Sequence, residues 1–290
     1  MPHVPAKLRP RTFVVQAASL QVDVVQAASL QVKIIRKKPQ PPRQRIQPRM
    51  PNFTYTDVSK MIDHSLLQPT MTVADFEAGI QLAIAYDVAS VCIMPYYLSR
   101  CAEMLRGTTV KASTTIGFPH GGHTTAIKRA EAEQAIADGC EELDMVVNIS
   151  QVLSGNWEYV EQDIAAVIEV AHKAGQKIKV IFENAYLNEE QKIRLCEICT
   201  QLGADWVKTS TGYAPTGATM DDLKLMRAHA GEHVQVKAAG GVRDFDTLLA
   251  VRELGVTRCG ASRTGEILDA ARKQLGLPAI EAKATNTSSY

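Results

Sequence analysis

Between residues 61 and 262 the sequence changes period again and again. A short apolar, β-branched run is followed each time by a longer stretch of helical periodicity. The runs are MIDHSLL (61–67), ASVCIM (89–94), VKASTTIG (110–117), ELDMVVN (142–148), KIKVIFE (177–183), DWVKTS (205–210), VQVKAAG (234–240) and TRCGAS (257–262). Helix-like segments such as TVADFEAGIQLAIAY and WEYVEQDIAAVIEVAHKAG lie between them, and Gly139, Gly175, Gly203 and Gly255 stand where left-handed helix caps belong. Strands in strict alternation with helices form a parallel sheet covered by helices. An open, doubly wound sheet would place a glycine-rich turn after its first strand, but here that turn reads LLQPTMT. The expected fold class is therefore α/β, a closed (β/α)8 TIM barrel. A single barrel of about 250 residues is ordinary for a chain of 290.

A barrel makes a chemical forecast: its reactive side chains sit at the C-terminal ends of the strands. Asp63, Asp144, Glu183, Lys208 and Lys237 interrupt apolar runs there and are expected to converge on the barrel axis. Lys208 and Lys237 fall on the sixth and seventh strands, hence next to each other. A lysine at a strand end most often simply reaches solvent. Two in adjacent apolar strands, each followed by a glycine-rich loop, point instead to a buried amine. Burial and a like charge both lower a lysine pKa, and a neutral amine can form a Schiff base with a carbonyl compound. Asp144 would supply a carboxylate for proton transfer.

The last three loops read TSTGYAPTGAT, AAGGVRD and GASRTG. Glycines serve as turn residues anywhere, but glycines and hydroxyls clustered on consecutive late loops of a barrel form a phosphate cradle of backbone N–H groups. The expected partner is a small phosphorylated carbonyl compound. Neither a nucleic acid nor a membrane is expected: net charge is +1, and no apolar run approaches the about 18 residues of a membrane span. No metal site and no cofactor are expected either. His120 and His123 share a loop, but the other histidines are dispersed, and the Cys196/Cys199 pair lacks a second pair of ligands. The six cysteines read as buried free thiols. Trp157 and Trp206 read as packing residues.

Residues 1–50 differ from the rest. They carry ten Lys/Arg against the single acid Asp23, and VVQAASLQV occurs at 14–22 and again at 24–32. Two copies are too few for a solenoid. The segment is open to three readings: an organellar presequence, a basic tail for an anionic partner, or a duplicated extension ahead of a natural start at Met50. The domain organisation expected is a basic, disordered extension at 1–50, the barrel at 51–280 and a tail at 281–290.

VKTSTGYAPTGAT (207–219), VKAAGGVRD (236–244), IDHSLLQPT (62–70), TIGFPHGGHTTAIKRAEAEQAI (115–136) and EELDMVVNIS (141–150) together closely resemble the deoxyribose-phosphate aldolases, a class I, Schiff-base aldolase family. The resemblance runs from about residue 56 to about 275. It implies reversible, metal-free cleavage of 2-deoxy-D-ribose 5-phosphate to D-glyceraldehyde 3-phosphate and acetaldehyde, within deoxyribonucleotide catabolism. It implies that Lys208 forms the imine, that Lys237 lowers its pKa and that Asp144 relays protons. It further implies substrate contacts at Asp63, Ser65, Cys92 and Thr211, and phosphate contacts at Gly212, Gly240, Gly241 and Ser262. A cytoplasmic homo-oligomer, dimer or higher, is the corresponding expectation. The chain departs from the family pattern at Ser65, Gln68, Met94, Asn184 and Arg263. These changes bear on substrate preference more than on reaction type. A phosphate-binding barrel without turnover is the alternative from another class.

Overall fold

Residue-by-residue alternation within each strand decides how this chain folds, because successive strand residues face opposite sides of a sheet. The computed structural model describes residues 52–280; the expected extension at 1–50 and tail at 281–290 lie outside the described residues. The strands are β1 (Ile62–Leu66), β2 (Ser90–Ile93), β3 (Lys111–Ile116), β4 (Glu142–Val146), β5 (Lys177–Ile181), β6 (Trp206–Lys208), β7 (Gln235–Ala239) and β8 (Arg258–Ala261). Each lies inside its expected run. All neighbours pair in parallel, and β8 returns to β1 to close the barrel. The helices are α1 (Tyr55–Ser59), α2 (Val73–Ala85), α3 (Leu98–Leu105), α4 (Thr125–Ala137), α5 (Ile149–Leu153), α6 (Trp157–Lys173), α7 (Glu189–Leu202), α8 (Met220–His229), α9 (Phe245–Glu253) and α10 (Thr264–Gln274). This is the expected TIM barrel.

The hydrophobic core lies between sheet and helices. Leu143 and Met145 of β4, Ile178 and Val180 of β5, Val207 of β6 and Val236 and Ala238 of β7 all belong to one buried apolar cluster with helix residues such as Ile164, Leu195 and Leu248. Their neighbours in sequence face the other way and fill the barrel with charge: Glu142, Asp144, Lys179, Lys208 and Lys237 are all buried. A barrel interior is usually packed with branched apolar side chains. Here it holds an ionic cluster. The interior therefore adds little to hydrophobic stabilisation, which comes from the outer layer at about 25 cal/mol per Å² of apolar surface buried.

The helices start where the sequence supplies caps. Thr72 and Asp75 form a reciprocal capping box at α2, Asn188 and Gln191 do the same at α7, and Thr219 and Asp244 cap α8 and α9. Each cap contributes about 1 kcal/mol. The cap at α8 also ends the long β6 loop, and the β6 and β7 loops meet closely. Ala218 N–H donates to the carbonyls of Ala239 and Gly240 at 3.0 and 2.8 Å. A Cβ on Gly217 would fall 2.4 Å from the Gly240 carbonyl carbon, so only glycine permits this approach. Among the described residues a fully buried ion pair also lies outside the barrel: Lys128 of α4 meets Asp163 of α6 at 2.5 Å and donates to the Val146 carbonyl at 2.9 Å.

Candidate active site

Strand register brings the site together. Lys208 on β6 stands opposite Lys237 on β7, and Asp144 on β4 opposite Lys179 on β5. Because inward residues of a barrel meet across its axis, Asp144 is also reached by lysines from strands that do not pair with β4. Its Oδ2 accepts from both Lys208 Nζ and Lys237 Nζ at 2.7 Å, and its Oδ1 accepts from Lys179 Nζ at 2.8 Å. Asp63 on β1 forms an ion pair with Lys237 at 2.6 Å and accepts from Arg258 on β8 at 2.5 Å. Glu142 forms an ion pair with Lys179 at 2.6 Å and accepts from both terminal nitrogens of Arg258 at 2.9 and 2.8 Å. Trp206 floors this cluster. Arg258 Cζ lies 4.9 Å from its ring centroid, a cation–π distance, and its indole N–H donates to Thr257 Oγ1 at 3.0 Å.

The electrostatics separate the two lysines of the sequence forecast. Burial lowers the Lys208 pKa, and the nearby Lys237 cation adds to that against the opposing pull of Asp144. Burial would lower Lys237 as well, but Asp144 and Asp63 overcome it and raise that amine above its ordinary value. The carboxyl of Asp144 would be raised by burial, yet Lys179, Lys208 and Lys237 hold it well below the usual carboxylate range. Asp63 is depressed in the same way by Lys237, Arg258 and Lys179. One amine is thus biased toward neutrality beside a fixed carboxylate and a fixed ammonium.

Above the cluster a cavity of about 250 Å³ opens at the C-terminal mouth of the barrel. Asp63, Ser65, Cys92, Lys208, Thr211, Gly212, Lys237, Gly240, Gly241 and Ser262 all line it, so every forecast site residue except Asp144 and Glu183 borders this space. Asp144 lies fully buried, bonded to the lysines that do. Gly240 and Gly241 adopt φ of 71° and 100°, a backbone form that favours glycine, in the wall the late loops provide. Arg243 and Arg263 also border the cavity and bring positive charge to its rim. Burial raises the Cys92 thiol above its ordinary pKa, which keeps it a neutral wall of the pocket.

Two points differ from the sequence forecast. Glu183 does not join the axial cluster. It adopts a positive φ of 59° just beyond β5, and its carboxylate accepts from the backbone N–H of Thr211 at 3.2 Å and from the Thr211 hydroxyl. Glu183 and Thr211 thereby fasten the β6 loop. The second difference is an omission: Lys179, Glu142 and Arg258 complete the cluster but were not singled out in the sequence. A signal existed. Glu142 and Asp144 alternate on one face of β4, as Lys177 and Lys179 do on β5, opposite the apolar residues of the same strands. Met94, one of the departures from the family pattern, borders a separate groove with Phe118 and Tyr213, and Asn184 is buried with its side-chain amide donating to Met226 Sδ at 3.3 Å.

A parallel barrel whose mouth holds two amines on one carboxylate, beneath a glycine-walled cavity, has the layout of a barrel aldolase, a carbon–carbon lyase. The chain belongs to the DeoC/LacD family of aldolases, whose model matches residues 58–263. It is 74% identical to a deoxyribose-phosphate aldolase of Rhodopirellula baltica over 241 residues, covering 83% of this chain and 100% of the relative. A deoxyribose-phosphate aldolase of Caldanaerobacter subterraneus is 44% identical over 219 residues, 75% of this chain and 95% of the relative. Among solved structures, a tetrameric deoxyribose phosphate aldolase from Aeropyrum pernix superposes with a TM-score of 0.70 at 27% identity, covering 76% of this chain and 92% of that one.

Proposed function

We propose that the protein is a class I aldolase that reversibly cleaves 2-deoxy-D-ribose 5-phosphate to D-glyceraldehyde 3-phosphate and acetaldehyde, with Lys208 as the imine-forming amine. The supporting observation is the pair of lysines on one oxygen of Asp144, in which burial and the Lys237 charge bias Lys208 toward its neutral form. The likeness to the Rhodopirellula baltica aldolase supports the choice of substrate.

The chemistry follows from that placement. Neutral Lys208 Nζ adds to the C1 aldehyde of the open-chain sugar, and loss of water leaves a protonated imine. That cation accepts the electron pair of the C2–C3 bond as it breaks. The C3 hydroxyl gives up its proton, and C3 becomes the aldehyde of glyceraldehyde 3-phosphate. The remaining two-carbon enamine takes a proton at C2, and hydrolysis releases acetaldehyde and restores the amine. Asp144, which touches both lysines, moves these protons, acting through water where its oxygens do not reach the substrate. Lys237 stays charged and keeps Lys208 reactive. Gly212, Gly240, Gly241 and Ser262 hold the phosphate, while Ser65, Cys92, Asp63 and Thr211 shape the space for the sugar. No metal or cofactor enters the scheme. A phosphorylated sugar does not cross a membrane unaided, so we place the reaction in the cytoplasm and in deoxyribonucleotide catabolism. The Aeropyrum pernix tetramer supports a homo-oligomer.

Borohydride trapping with acetaldehyde, followed by peptide mapping, tests this reading. A reduced adduct on Lys208 is expected. An adduct confined to Lys237 would exchange the two roles. A folded protein that gives no adduct would instead be a phosphate-binding barrel without turnover.

A further inference from the structure

The barrel interior is a largely buried ionic cluster beneath the cavity, and its charges can be counted. Three carboxylates, Asp63, Glu142 and Asp144, face four cationic side chains, Lys179, Lys208, Lys237 and Arg258. All seven are buried or nearly so, with side-chain exposures from 0 to 13%. In a medium of low dielectric constant an uncompensated charge is expensive, so such a cluster settles on the protonation state nearest neutrality. With one surplus proton, some amine in the cluster must give it up. Lys179 is paired with Glu142 and Asp144 and lies 3.6 Å from Asp63. Arg258 is paired with Asp63 and Glu142, and Lys237 with Asp63 and Asp144. Lys208 alone among the four touches only one carboxylate, Asp144, and that oxygen is already shared with Lys237.

We propose that Lys179, Glu142 and Arg258 are positioning residues that set the protonation of Lys208 by charge balance: the floor of the barrel pairs two cations with Glu142, engages one oxygen of Asp144, and leaves Lys208 as the single surplus amine. Lys179 does not touch the cavity and acts through Asp144. Its bond to Oδ1 withdraws part of the carboxylate's attraction from Lys208. The inference rests on the reading of Lys208 as the imine-forming group. The other titratable groups around Lys208 are Cys92 on β2 and Glu183 beyond β5. The Cys92 thiol is neutral, and Glu183 is engaged with Thr211. The Glu183 charge also reaches Lys208, but it lies outside the ion-paired network and is the same in every variant below, so the relative shifts depend only on the seven paired groups.

Charge balance predicts shifts of opposite sign from neighbouring residues. Lys179→Met removes a cation, so the cluster is neutral with Lys208 protonated. The Lys208 pKa rises, and the acid limb of imine formation moves to higher pH. Glu142→Gln removes an anion, adds to the surplus and moves that limb to lower pH. Each shift should be about one pH unit or more, given unit charges within a few ångströms in a buried site. The double variant Lys179→Met/Glu142→Gln restores the count and returns the limb close to that of the unmodified protein.

The experiment measures the rate of borohydride-trapped acetaldehyde adduct on Lys208 from pH 5 to 9 for the unmodified chain and the three variants, with circular dichroism as a check on folding. Absence of adduct in the unmodified chain would overturn the Lys208 reading itself, and this inference with it. A normal wild-type profile with unshifted variants, or with both single variants shifted the same way, would overturn the charge-balance inference alone. Should Lys179→Met not fold, Arg258→Met removes the same unit of charge from the other side of Glu142 and must shift the limb upward. A structural role for these residues would lower stability in all variants. It would not produce opposite shifts that cancel in the double variant.

Discussion

Lys208 and Lys237 donate to the same oxygen atom, Asp144 Oδ2, each at 2.7 Å, from positions in register on adjacent strands. Two ammonium groups on one oxygen repel, and the cluster relieves this by lowering the proton affinity of the less well paired amine. Lys237 keeps its charge through a second carboxylate, Asp63, at 2.6 Å.

Asp144→Asn tests separately the two roles proposed for this carboxylate. The amide removes an anion, so Lys208 should lose its proton at lower pH and imine trapping should extend further into acid. Proton transfer should fail, with kcat lower by about 100-fold or more, the usual range for a lost acid–base group. Steady-state rates set beside trapping rates would show the split; unaltered kcat removes Asp144 from the proton path.

Arg263 borders the cavity beside Ser262 and makes only a loose pair with Glu266, at 3.5 Å on the surface. Its charge is available to a dianion at the mouth. Arg263→Gln should raise KM for deoxyribose 5-phosphate by about three- to tenfold, in the range of a partly exposed charge-assisted contact. Any turnover of unphosphorylated 2-deoxyribose should not change. Equal effects on the two substrates would remove the phosphate contact from Arg263.

Lys128 and Asp163 bind α4 to α6 with no exposure of either side chain, and Thr125 Oγ1 donates to the second Asp163 oxygen at 2.8 Å. Asp163→Ala leaves a buried ammonium with only the Val146 carbonyl, so unfolding free energy should fall by about 3–5 kcal/mol. The double variant Lys128→Met/Asp163→Leu should recover most of the loss. Denaturant titration of both variants would decide whether the pair acts as a unit.

His64 on β1 faces away from the barrel axis, and its Nδ1 lies 2.8 Å from the Thr264 hydroxyl at the start of α10. Burial lowers its pKa from 6.5 to about 4. Between those values the unfolded chain binds a proton that the folded chain refuses, so stability is complete above pH 6.5 and falls as the pH drops toward 4. The loss over that window is about 3 kcal/mol. Melting temperature followed from pH 7 to 4.5 should show the decline, and His64→Gln should flatten it. An identical decline in the variant would assign the acid sensitivity to other groups.

Much of the fold was legible in the order of the residues. Alternating periods of two and 3.6 identify strand and helix locally, without knowledge of what they pack against, and LLQPTMT after the first strand excludes a dinucleotide-type open sheet. Lys208, Lys237 and Asp144 stood out because charge inside an apolar run is costly unless it is paired. Lys179 was harder to read: KIKVI carries two lysines, of which Lys177 is exposed and paired with Asp205 at 2.7 Å, while Lys179 is wholly buried. Two residues along one strand separate them, and only the depth of the barrel tells them apart.

The sequence by itself determined the barrel, the strand ends expected to carry chemistry and the three polar side chains most exposed to suspicion. Those follow from local periodicity and from the cost of burying charge. Tertiary structure decided which amine is biased toward neutrality, that Glu183 serves the Thr211 loop instead of the axis, and that Glu142, Lys179 and Arg258 underlie the cluster. Protonation depends on the distances among all seven charged groups at once, from strands as far apart in the chain as β1 and β8, and Coulomb energies in a dry interior change by kcal/mol over an ångström or two. No local pattern contains those distances; closure of the sheet creates them.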